Sequence, residues 1–174
     1  MPRRYENALS LSHTVLRLLV GLNLAMGVFI LGLFVASLVA MPWVMTALGA
    51  PPTPENRTLV NGMRAIMLIG AASVPLTHMV LTRLLAMVET VRDGDPFVPS
   101  NAERLQRIAW CVLGLEAMHV AIVSIAKAVS TESTPIDIEW RFNVARWVTV
   151  LMLFVLARVF EHGTRMRDDL SGTV

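Results

Sequence analysis

Three features of this chain predict an all-α fold of membrane-crossing helices. Apolar residues make up 55% of its 174 positions and charged residues only 16%, against about 45–50% and about 25% in soluble domains. Mean hydropathy is +0.60. The apolar residues also fall in long runs separated by arginines, prolines and polar turns. A soluble domain this apolar lacks the polar surface to cover itself, so lipid is expected to face most of its helices. The predicted architecture is one domain, residues 1–174, an integral membrane four-helix bundle with both termini in the cytoplasm (N-in/C-in).

The first helix is predicted over about 12–41. The uncharged run after Arg17 has an apolar part at positions 18–41, about 36 Å at 1.5 Å per residue and enough to cross a core of about 30 Å. A signal-peptide core is about 7–15 residues, so Arg3-Arg4 and this run are read as a retained helix. Met41-Pro42 ends it, because proline disfavours helix at the residue before it. A loop with Pro51-Pro52 and Pro54 follows, and Trp43 stands where an interfacial aromatic would.

The second helix is predicted over about 63–91. Its uncharged stretch lies between Arg64 and Arg83, about 27 Å long, with Pro75 expected to kink it and not to stop it. Positions 92–100 read as a cytoplasmic turn by composition. Ser100-Asn101-Ala102-Glu103 reads as a capping box, so the third helix is predicted from Asn101 to about 128, with Glu116 the charge inside its apolar stretch. Ser130 to Asp137 is a polar loop. The fourth helix, about 139–166, is apolar only from Trp147 to Phe160 and contains Arg158. It spans if Arg146 and Arg158 snorkel to the surfaces.

The basic residues set the orientation. Arg3, Arg4, Arg17, Arg83, Arg92, Arg104, Arg107, Arg158, Arg165 and Arg167 fall on the side of the termini. Arg57, Arg64, Lys127, Arg141 and Arg146 fall on the other. Ten against five puts the first side in the cytoplasm, and two termini on one side require an even number of crossings.

A net charge of +2 is too small to argue for nucleic-acid binding, and no helix-turn-helix remains once four spans are assigned. Direct nucleic-acid binding is therefore not expected. The single cysteine, Cys111, allows no intrachain disulfide and no cysteine-based metal site. There is no Gly-x-Ser-x-Gly, no His-Glu-x-x-His and no P-loop lysine, nor a soluble domain to hold a cofactor. The chain is read as no enzyme, with no catalytic residues, no metal and no cofactor.

Polar groups inside lipid are costly, which makes each a functional candidate. Asn23, His78, Glu116 and Arg158 fall in the inner half of the bilayer by their distance from the helix ends, and His119 falls about 16 Å in, near the midplane. As an intramembrane polar cluster they could sense protons or hold an ion, the basis for a small transporter or ion sensor. Interhelical hydrogen bonding that fixes packing is the plainer alternative. Glu116-Ala-Met-His119 has the Glu-x-x-His spacing of di-metal bundles, but those need a second such motif and further glutamates. His13 and His162 are expected at the membrane surface in contact with water. Gly21 and Ala25 form a small-xxx-small pair, read as packing, with homo-oligomer formation the sharper alternative.

Asp93, Gly94, Asp95, Pro96, Phe97, Asn101 and Arg104 are the candidate partner-docking residues. An apolar residue such as Phe97 in a loop can anchor a partner; it can equally pack on the bundle end and make the loop a rigid connection. An EF-hand is excluded, since its twelfth position, counted from Asp93, is Arg104.

Asp93-Gly-Asp-Pro-Phe97, Asn101-Ala102, Arg104-Leu105 and Ile108-Ala109-Trp110 resemble the signature of the DUF2975 family. Phe154-Val-Leu-Ala-Arg-Val-Phe160, Gly163, Arg165-Met-Arg-Asp-Asp-Leu170 and Gly172-Thr-Val174 resemble its closing block. The resemblance implies a small bacterial protein with four transmembrane helices in the inner membrane and no agreed catalytic residues. It also implies a regulatory role, tethering or restraining a small Xre-like helix-turn-helix transcription regulator.

Overall fold

The computed structural model describes residues 2–47, 49, 53–54, 56–95, 97–130 and 144–171. The breakers Pro51-Pro52, the loop residues 131–137, the predicted helix start at 139 and Pro96 lie outside the described residues. Among the described residues five helices follow one another: α1 Pro2–Val39, α2 Met41–Ala47, α3 Arg57–Arg92, α4 Pro99–Val129 and α5 Val144–Ser171. Among the described residues there is no strand.

α1 begins at Pro2 and not at Ser12. Proline suits a first helical position, and nothing between Arg3 and Leu11 breaks a helix. It ends at Val39 for the expected reason. Pro42 has no N–H and crowds the carbonyl four residues back, so the chain bends at Ala40 and resumes as α2. The ladder survives on both sides of the bend, with Ala40 N donating to Ala36 O and Val44 N to Ala40 O. α2 occupies what composition marks as loop, because it has core to cover: Val44 and Met45 are buried. α3 starts at Arg57, six residues before the expected position, and runs through Pro75 without interruption. α4 starts at Pro99 and not at Asn101. Its first-turn bond is Asn101 N to Val98 O, so Ser100 lies inside the first turn and is not the cap.

Among the described residues three helical stretches are long and apolar enough to cross a membrane: Ser10–Val39, Arg57–Arg92 and Pro99–Val129. None of the most apolar window of the first two, and 22% of that of the third, is buried inside the protein. Large apolar side chains such as Leu22, Val28, Phe29 and Leu38 are left uncovered. That pattern suits a lipid solvent and not water. α5 is not among the three, since Arg146, Arg158 and Glu161 interrupt its apolar run.

The helices form two compact units. One comprises Asn23–Pro75 and Leu115–Phe142. Its core is Met45, Leu59, Val60 and Val129, with Met63 and Ile125 packed against it. Arg64 donates to Ser37 O at 2.6 Å, which satisfies a last-turn carbonyl of α1 and sets a cation at its negative end. The Ser37 hydroxyl, itself buried, donates to Phe34 O. Asn23 Nδ2 donates to Val74 O at 3.2 Å, the carbonyl just before Pro75.

The other unit comprises Met1–Leu22, Leu76–Gly114 and Asn143–Val174. Leu105, Ile108, Ala109, Cys111, Val150 and Ala157 are buried in it. His13, expected to meet water, is turned inward: its side chain is only 15% exposed and its Nε2 lies 3.5 Å from Glu89. Glu89 is available there because α3 continues to Arg92.

Candidate functional site

The connection between α3 and α4 is the most highly built feature of its unit, and it is assembled in three layers. The first is backbone. Gly94 takes φ +84°, a left-handed value that glycine adopts without the Cβ penalty. Gly94 N donates to Val91 O and Asp95 N to Thr90 O. These are the two bonds of a Schellman motif, and they close the carboxyl end of α3.

The second layer joins the helices on either side. The Thr90 hydroxyl donates to Met87 O and accepts from Asn101 Nδ2 at 2.7 Å. Asn101 Oδ1 in turn accepts from Arg104 Nη1 at 2.8 Å. The same Nη1 lies 3.4 Å from Ala86 O. Asn101 is only 1% exposed, so both ends of its amide are spent inside the protein. Its partner Thr90 carries no motif that marks it in the sequence.

The third layer comes from the far end of the chain. Phe97 packs on Phe160 of α5, with ring centroids 5.5 Å apart and planes inclined by 30°. Gly163 faces the same ring at ordinary contact distance, since a Cβ there would sit 3.5 Å from Phe97 Cδ1. Arg167 Nη1 donates to Asp95 Oδ1 and to Phe97 O. Phe97 nevertheless stays 45% exposed. It edges an apolar groove of about 680 Å³ along α5, lined by Val155, Val159, Gly163 and Met166 and rimmed by Arg158, His162 and Arg167. Of the seven candidate docking residues, Gly94, Asp95, Phe97, Asn101 and Arg104 join this construction. Asp93 contributes its N–H to Glu89 O.

Phe160, Gly163 and Arg167 complete the site, and position alone does not mark them. Their signal was membership of the second block of the family resemblance. The structure brings that block into contact with the first.

The five intramembrane polar candidates are divided between the units. Asn23, Glu116 and His119 belong to one, His78 and Arg158 to the other. Asn23 is spent on Val74 O. Glu116 is half-buried and His119 is exposed. His78 Nδ1 is buried without a hydrogen-bond partner. Arg158 is 78% exposed at its side chain and donates to Glu161, three residues on, at 2.9 Å. Glu161 also accepts from Arg165 at 2.6 Å. Among the described residues, no three His, Cys, Asp or Glu side chains converge as a metal site would require.

A family model described as "Protein of unknown function (DUF2975)" matches residues 41–174. That span contains the whole connection and the segment of α5 that clasps it. No curated protein and no solved structure matches the chain.

Proposed function

The chain belongs to the DUF2975 family, and on that footing we propose that it is a regulatory multi-pass protein of the bacterial inner membrane, with no enzymatic role. In this reading α5 completes four crossings, both termini and the α3–α4 connection face the cytoplasm, and the connection is a docking platform. Its partner is a small Xre-like helix-turn-helix regulator held at the membrane. The observation that supports this is the fixed display of Phe97: a half-exposed aromatic ring on a loop held by Gly94, Asn101 and Arg167. A loop held in place loses little entropy on binding, so more of the contact energy becomes affinity. The arginines around the groove would also meet lipid phosphates or an acidic partner surface.

The test is co-purification in detergent with a candidate regulator expressed from the same source. Retention by the wild type, and loss on Phe97→Ala with an unchanged circular dichroism spectrum, is the expected result. Equal retention by wild type and Phe97→Ala, or none by the wild type, overturns it.

A transporter or ion-sensor reading keeps one specific observation, the unpartnered Nδ1 of His78. Proton or ion flux in proteoliposomes that is abolished by Glu116→Gln or His78→Ala would favour it over docking.

A further inference from the structure

α4 and α5 leave a second groove between them, of about 570 Å³, whose chemistry changes along its length. At one end its walls are Trp110, Phe154 and Val155, with Trp110 and Phe154 edge to face at 5.2 Å. At the other end stand Glu103, Glu161 and Arg165, with Arg158 between. From Glu103 to Trp110 is about 10 Å along the helix. The groove therefore passes from oil-like to ionic within the depth of a lipid headgroup region.

The ionic end has a definite balance. Glu161 is shared by Arg158 and Arg165, at 2.9 Å and 2.6 Å. Two guanidiniums on one carboxylate leave a surplus positive charge and several N–H donors unspent. Glu103 is held loosely, 3.7 Å from Arg107 and mostly exposed. One surplus cation site, one underused carboxylate and an aromatic floor line a single groove. We propose that this groove is a binding site for a phospholipid with a phosphate and a primary ammonium in its headgroup, of the phosphatidylethanolamine type. The phosphate lies on Arg158 and Arg165, where guanidinium geometry suits it. The ammonium lies against Glu103, and an acyl chain covers Trp110 and Phe154. A choline headgroup has no N–H to give Glu103. A glycerol headgroup brings no cation to it.

This site rests on the membrane placement proposed above and does not require partner docking, although Arg158 borders both grooves. The test uses the full chain in detergent, with dioleoyl phosphatidylethanolamine, phosphatidylglycerol and phosphatidylcholine added separately. Bound lipid is read by native mass spectrometry and by the shift in thermal unfolding. Phosphatidylethanolamine is expected to bind about fivefold more tightly than phosphatidylcholine. Glu103→Gln, a surface change that leaves the fold intact, should bring the two close to equality. Arg165→Ala should weaken all three lipids. Equal binding of the three by the wild type, a preference for phosphatidylglycerol, or a preference unchanged in Glu103→Gln would overturn the proposal. A chain that stays folded and dispersed in buffer without detergent would instead overturn the membrane placement.

Discussion

Arg167 reaches back across 72 residues to donate to Asp95, so the last turns of α5 hold the turn that joins α3 to α4. The pair is half-exposed, with side-chain exposures of 53% and 39%. Solvent and salt therefore screen it, and its coupling should be that of a surface ion pair, about 0.2–1 kcal/mol. A double-mutant cycle over Asp95→Ala and Arg167→Ala, read by unfolding in detergent, measures it. The coupling should shrink when salt is raised from tens of millimolar to about 0.5 M. A coupling that ignores salt would mean that charge attraction does not join Arg167 to Asp95.

Asn101 should matter more than Asp95, despite carrying no charge. Its amide is buried and joins the Thr90 hydroxyl to Arg104. Asn101→Ala leaves both of those groups without the partner they have now. Both groups are half-buried, so the cost should fall toward the lower end of the range for a stranded buried polar group, about 1–3 kcal/mol. Limited proteolysis across the connection should also speed up, because this amide joins α4 to α3 and holds Arg104 beside Ala86 O. If Asn101→Ala cost no more than Asp95→Ala, the side-chain network would be incidental and the Schellman turn alone would define the loop.

How much of this was legible in the sequence differs by layer. Asp93-Gly94 announces the turn, and Gly94 takes the left-handed φ such a turn uses. The long apolar runs announce α1, α3 and α4. What composition does not carry is long-range pairing. Phe160 and Arg167 are ordinary helix residues by propensity and Gly163 reads only as a weak point in a helix; apart from the family resemblance, contact with Phe97 and Asp95 is what distinguishes them. α2 does not show in composition, because Pro42 and Trp43 read as loop, while burial of Val44 and Met45 favours a turn of helix. Depth in the bilayer groups Arg158 with polar residues of other helices, yet Glu161 one turn away is its partner. A partner fixed by the helix itself costs less chain ordering than one that must be brought from elsewhere.

Asn23 offers a measure of one interhelical bond. Its amide donates to Val74 O, next to the proline that removes a donor from α3. Bonds of this kind average about 0.6 kcal/mol in membranes, with a maximum near 1.7. Asn23→Ala should fall in that range by unfolding in mixed micelles. A cost well above about 2 kcal/mol would show that Asn23 serves something beyond packing, as the polar-cluster reading requires.

The sharpest prediction compares two glycine contacts between α1 and α3. A Cβ on Gly27 would lie 2.8 Å from Val74 Cγ1, whereas one on Gly70 would meet Ile30 no closer than 3.8 Å. The first is a clash and the second an ordinary contact. Valine in a helix is nearly locked in one rotamer, so Val74 cannot swing aside and the helices must part. Parting them stretches the Asn23 bond, one turn from Gly27. Gly27→Ala is therefore expected to cost about 1–3 kcal/mol, as overpacking does. Gly70→Ala should be neutral or gain up to about 1 kcal/mol from helix propensity. Val74→Ala placed beside Gly27→Ala should recover most of the loss. The same logic holds at Gly62, where a Cβ would meet Val129 Cγ1 at 2.6 Å and Val129→Ala is the rescuing change. If Gly27→Ala proved as stable as Gly70→Ala, α1 and α3 would not approach as closely as the structure places them, and the Asn23 bond would fall with that contact.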